Sequence, residues 1–245
     1  MKKTIVVWFS CGAASAVASK RTIEKYGETH NILIVNNPVD EEDEDNRRFM
    51  NDVSKWLDKP IIQAVNSTAN TTSAVDIWNK RKYMSGINGA PCTLVLKKGA
   101  RYEFEKSNKI DYHVLGFTAE EVGRHERFIK NERDNVLPVL IEDGITKQMC
   151  FDIITNAGIT LPRVYSMGYP NANCIGCVKA TSPTYWNHVR RMHPDQFRER
   201  AEQSRKLGVR LVRYKGKRIF LDELPEDAKG RGMKSYECGI FCDTK

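Results

Sequence analysis

No run of about 18 apolar residues occurs in the 245-residue chain, which excludes a hydrophobic membrane-spanning helix. No secretory leader is expected either. Met1-Lys2-Lys3 leads into a short strand-like stretch, 4–9, with no small-residue cleavage pattern, so a cytoplasmic protein with no membrane partner is expected. The absence of internal repeats and low-complexity segments excludes solenoid and fibrous architectures. Seven cysteines, an odd number without a leader, argue against a disulfide framework and leave metal, redox or core roles.

What is present is the composition of a folded α/β protein. Apolar residues make up 40% and charged residues 29%, enough to bury a core unaided. The net charge is +8, and the basic excess gathers after residue 178, from Arg190 and Arg191 through Arg205, Arg213 and Lys217 to 229–234. Such a stretch either attracts a polyanion such as nucleic acid or is a solvated surface. Tyr185, Trp186 and His188 beside the arginines either stack on bases or pack a helix against its neighbour.

The first sixty or so residues alternate strand and helix: strands at 4–9, 31–36 and 61–65, helices at 14–26 and 45–57, the first ending at a left-handed Gly27. Further helices are expected at 75–83, 94–106, 146–156 and 185–207, a strand at 111–117 and a hairpin at 210–220. This is an α/β pattern, a parallel central sheet with helices on both faces, Rossmann-like. Residues 1–160 are expected to form the nucleotide-binding domain and 161–245 a cysteine-containing basic appendage. Ligands of such sheets sit at the carboxyl ends of strands, where Ser10 to Ser15, Asn37, Gly116 and 117–127 would converge.

Ser10-Cys11-Gly12-Ala13-Ala14-Ser15 lies directly between strand and helix. Backbone N–H groups, a helix N-terminus and two hydroxyls there can hold phosphate, with Gly12 allowing close approach. The same six residues also satisfy a plain strand-to-helix turn with a serine cap. Cys174-Ile175-Gly176-Cys177 has the gap that lets two sulfurs meet one metal, and Cys238 and Cys242 form a second pair. Cys11 and Cys150 read as small buried hydrophobes. His125, between Arg124 and Arg127, reads as a surface histidine or an anion contact. The acidic run from Asp40 to Asp45 either holds a metal or caps and solvates the following helix.

The Ser-x-Gly-x-x-Ser turn resembles the PP-loop signature of ATP pyrophosphatases, sulfurtransferases and PAPS reductases. Cys92-Thr93 with Lys97, Leu115-Gly116-Phe117-Thr118 with Arg124 and Arg127, and Glu237-Cys238-Gly239-Ile240 are similar to further segments of the PAPS reductase and adenine nucleotide alpha-hydrolase branch. The resemblance implies an adenine nucleotide, PAPS or ATP, at Ser10 to Ser15, with Arg124 or Arg127 on its phosphate or sulfate oxyanions. It implies Cys238 as a nucleophile on sulfur, resolved by a thiol reductant such as thioredoxin. Alternatively, Cys92, Cys174, Cys177, Cys238 and Cys242 supply ligands to an iron–sulfur cluster or to zinc in an ATP-dependent nucleic-acid sulfurtransferase. Cys238 cannot be ligand and nucleophile at once. The loop departs from the family where Ala13 and Ala14 replace the usual Lys and Asp, which removes a cation and a magnesium-binding carboxylate. Asp40, Glu41 and Asp45 are the candidate substitutes, and a nucleotide-binding module without turnover is the remaining reading.

Overall fold

The apolar run near the N-terminus forms a buried strand, β1 (Thr4–Trp8), in which Ile5, Val6 and Val7 have no exposed surface. The computed structural model, which describes residues 2–86 and 89–233, continues with α1 (Ala13–Tyr26), β2 (Asn31–Asn36), α2 (Asp45–Leu57), β3 (Ile61–Gln63), α3 (Ala74–Arg81) and α4 (Gly99–Ser107). Next come β4 (Tyr112–Val114), α5 (Val122–Asn131), β5 (Val136–Leu137), α6 (Val139–Glu142), α7 (Lys147–Asn156) and α8 (Arg163–Ser166). Then follow α9 (Pro183–Met192), α10 (Pro194–Lys206) and a hairpin of β6 (Val212–Tyr214) and β7 (Lys217–Ile219).

Strands β1 to β5 form one parallel sheet in the order β3-β2-β1-β4-β5, so the fold is α/β. Val7 at its centre lies opposite Ile34 of β2 and Val114 of β4. Parallel strands covered on both faces carry no polar alternation, which is why these segments read as apolar runs. The chain winds from β1 out to β3 and then returns past β1 to β4, so the winding reverses between β1 and β4. Helix α1 buries small residues, Ala13, Ala16, Val17 and Ala18, and returns the hydroxyls of Ser19 and Thr22 to carbonyls four residues back. Helix α2 buries Phe49, Val53 and Leu57 along one face.

The chain divides into two compact units that interleave in sequence. Residues 1–38, 44–65 and 100–163 form the first, which contains the sheet; residues 39–43, 66–99 and 164–245 form the second. The second has its own core, with Trp78, Met84, Leu96, Trp186 and Leu211 buried together. The expected boundary at 160/161 falls beside the last crossing between units, but 39–43 and 66–99 belong to the second unit.

Four local expectations are corrected. Gly27 closes α1 in right-handed geometry (φ −60), its N–H bonded to the Ile23 carbonyl. The single helix expected at 94–106 is a π-helix, Thr93–Lys98, running into α4, with the Val95 carbonyl held by the Asn66 amide at 2.9 Å. The helix expected at 185–207 breaks at His193 (φ −140, ψ 67), because Pro194 disfavours helical geometry in the residue before it. Helix α5 stands where no element was expected. Among the described residues no helix is long and apolar enough to cross a membrane.

Candidate functional site

At the carboxyl end of β1 the chain enters α1 through Ser10, Cys11 and Gly12. The unusual backbone falls on Cys11 (φ +56), while Gly12 is extended (φ −100, ψ 157). A left-handed residue with a side chain costs roughly 1–2 kcal/mol. Asn36 braces this turn, its amide donating to the Phe9 carbonyl at 2.9 Å and approaching the buried Cys11 sulfur at 3.6 Å. The Ser15 Oγ accepts from the Ser10 N–H at 3.1 Å, meets the Ser10 hydroxyl at 3.3 Å and donates to the Gly12 carbonyl at 2.8 Å. Ser15 is buried and committed, whereas Ser10 is exposed and is the hydroxyl that can turn to a ligand. Among the described residues no side chain caps α1, and no acid lies in its first turn. Ala13 is fully buried and Ala14 partly so.

Gly116, just past β4, packs directly on this turn. A Cβ there would lie 2.8 Å from the Ser15 nitrogen and 3.0 Å from the Ala14 carbonyl carbon, so only glycine fits. Thr118 and Glu121 then form a reciprocal cap. Arg124 pairs with Glu121 and lies 5.1 Å over the Phe117 ring, while Arg127 is exposed. His125, expected at the surface, is only 9% exposed and stands edge-on to Phe117 at 5.7 Å. Asn37 is buried with its amide donated to the Ala64 carbonyl at 2.9 Å.

Two titratable groups of the same unit are fixed by burial. His113 on β4 accepts from the Trp8 indole at 3.1 Å, and burial, reinforced by Arg133 and Arg101, pushes its pKa down to about 3. The Cys150 thiol is pushed up to about 12, mainly by burial, which keeps it protonated and unreactive.

In the second unit Cys174 and Cys177 stand on either side of Gly176, whose φ of +68 makes the knuckle. They line a small pocket with Tyr169, Asn171, Asn173 and Tyr185, and the Cys177 N–H donates to the Tyr185 hydroxyl at 2.9 Å. Two sulfurs on such a turn fit one metal ion. Among the described residues no group of three or more His, Cys, Asp or Glu could hold a metal, so Cys92, at the head of the π-helix, does not complete a set with them. Cys238 and Cys242 lie outside the described residues.

The acidic run has structural partners. Glu41 accepts from the Ser73 hydroxyl and from the N–H groups of Ala74 and Val75 at the start of α3. Asp40 accepts from Thr72, and Glu42 pairs with Lys97 at 3.2 Å. In the first unit Asp45 accepts from Arg48 and from the Arg163 N–H. These contacts occupy the carboxylates expected to replace the loop's missing aspartate.

Much of the basic excess is likewise spent internally. Arg190 donates to the Leu221 and Leu224 carbonyls, Arg205 pairs with Asp222 and Glu223, and Arg200 is 3% exposed. Trp186 and Tyr185 are core residues, so neither is placed to stack on a base. Arg213, Lys215, Lys217 and Arg218 of the hairpin remain exposed. Sequence reading passed over Tyr169 and treated Arg200 as a surface charge. The signal for Arg200 was there, since Phe197, Arg200, Ala201 and Ser204 share the buried face of α10. No known family's sequence model matches the chain, and no curated protein matches it.

Proposed function

We propose that the chain binds an adenine nucleotide with its phosphates at the N-terminus of α1 and carries out sulfur chemistry on it, as a PAPS reductase-like PP-loop enzyme. The observation that carries this reading is the β1–Cys11–α1 turn: an uncapped helix start, a strained residue and an exposed Ser10 hydroxyl, placed where the sheet's winding reverses. Arg127 is exposed and so positioned to meet an oxyanion, whereas Arg124 would have to leave Glu121 to do so. In this reading Cys238 attacks the nucleotide's sulfur, the sulfur–oxygen bond to phosphate breaks, and a thiol reductant such as thioredoxin releases sulfite from the enzyme thiosulfonate.

The Cys174–Cys177 knuckle serves the same chemistry as part of a metal site, with Cys242 as a further ligand while Cys238 remains the nucleophile. An ATP-dependent nucleic-acid sulfurtransferase with an iron–sulfur cluster is the second reading, favoured by the exposed cations of the hairpin. A binder without turnover is the third, favoured by buried Ala13 and by the engagement of Glu41 and Asp45 elsewhere.

Calorimetric titration of the full chain with PAPS and with ATP tests the shared premise. Ser10→Ala is expected to weaken whichever nucleotide binds by about 5- to 10-fold, one hydrogen bond's worth. Failure of the wild type to bind either nucleotide overturns the proposal. Sulfite release from PAPS under thioredoxin separates the reductase from the other two readings.

A further inference from the structure

Two buried donors flank the Cys174–Cys177 knuckle, and neither has a hydrogen-bond acceptor among the described residues. The Tyr169 hydroxyl belongs to a side chain 6% exposed that lines the pocket with both sulfurs. The Arg200 Nε–H belongs to a side chain 3% exposed and lies 3.5 Å from where a Cβ on Gly176 would stand. The rest of the guanidinium is in use, stacked 4.4 Å over Trp78 and bonded to Gln203. Its nearby carboxylate, Glu41, is spent on the start of α3. A buried guanidinium Nε–H and a buried hydroxyl without acceptors are costly, and a fold keeps them together where an anion fills the gap.

Resting on the metal reading of the knuckle, we propose that Tyr169 and Arg200 are outer-sphere donors to the sulfurs of a metal held by Cys174 and Cys177. Burial raises the Tyr169 phenol well above its ordinary value, so it keeps the proton it would donate. Arginine has donors only, so its Nε selects a negative group. Hydrogen bonds to ligating sulfur orient the ligands and stabilise the charge that several thiolates accumulate.

The test uses the full-length reduced, metal-free chain titrated with Co²⁺, read by the sulfur-to-cobalt charge-transfer absorption and followed by Zn²⁺ competition against a chelator. Cys174→Ser should abolish the band. Tyr169→Phe, which removes a single oxygen, should weaken Co²⁺ and Zn²⁺ binding on the order of 10- to 100-fold while leaving the thermal midpoint of the metal-free protein unchanged or higher. Arg200→Met should act in the same direction; if that variant does not fold, Tyr169→Phe decides alone. Wild-type affinity in Tyr169→Phe overturns the outer-sphere role and leaves the metal reading standing. No charge-transfer band in the wild type overturns the metal reading and this proposal with it. Iron and acid-labile sulfide in protein purified without oxygen distinguish a cluster from zinc, two centres that share the thiolate chemistry.

Discussion

A histidine kept neutral inside a fold makes stability depend on acid, and His113 is the clearest case in this chain. Its pKa is about 3 when folded, against an ordinary value of 6.5. The cause is first burial and then the Arg133 and Arg101 charges; Glu105, 3.8 Å away, is already bound to Arg133. A depressed folded pKa means that the unfolded chain takes up the proton first. The stability is therefore fully present above pH 6.5 and is lost as pH falls from there toward 3. At pH 5 the loss from this residue is about 2 kcal/mol. His113→Asn, which keeps an acceptor for the Trp8 indole, should flatten the drop in urea midpoint between pH 7 and pH 5; an unchanged slope would assign the acid sensitivity elsewhere. None of this was legible from the sequence, because His113 sits in a short strand whose neighbours say nothing of two arginines brought in from 101 and 133. Ser15 was legible as part of a turn, but its commitment to Gly12 was not, since a Ser-x-Gly-x-x-Ser spacing fits a phosphate contact and a self-closed turn equally.

At the level of elements, the early strands and helices were readable because burial on both faces leaves an unmistakable apolar run and α2 has a single apolar stripe. The π-helix was hidden, since an extra residue per turn changes the hydrogen bonds without changing the composition. Helix α5 was passed over although Val122, Phe128 and Ile129 recur at helical spacing on a polar background, and its one buried residue is His125. The packing of β4's end on the turn into α1 was visible only as a glycine. Gly116→Ala places a methyl 2.8 Å from backbone nitrogen, where no flexible side chain can yield. Strain of this kind costs typically 1–3 kcal/mol. The variant should lower the urea midpoint accordingly and, because the strain falls on Ala14 and Ser15, also weaken nucleotide binding. Loss of stability with intact nucleotide affinity would show that the turn is only a structural joint.

At the scale of the whole molecule, the informative quantity is how often the chain passes between its two cores. A boundary at 160/161 was drawn where composition shifts from apolar alternation to charge and cysteine, and composition does change there. It could not reveal that 39–43 and 66–99 leave the first core, because Val39 with its four following acids and the polar stretch 66–72 read as surface loops. Their buried residues, Val39, Ala74, Ile77, Trp78, Met84 and Leu96, pack in the second unit's cluster with residues from 164 onward. Cutting the chain after 160 would leave these side chains without that partner surface, and each large one forfeits about 1.5–3 kcal/mol of burial. A fragment of residues 1–160 should therefore keep the five strands' sequence yet bind a hydrophobic dye strongly and unfold over a broad urea range. A dye-silent fragment with a transition as sharp as that of the full chain would mean that 66–99 can bury itself within the first unit, and the interleaved division would then be wrong.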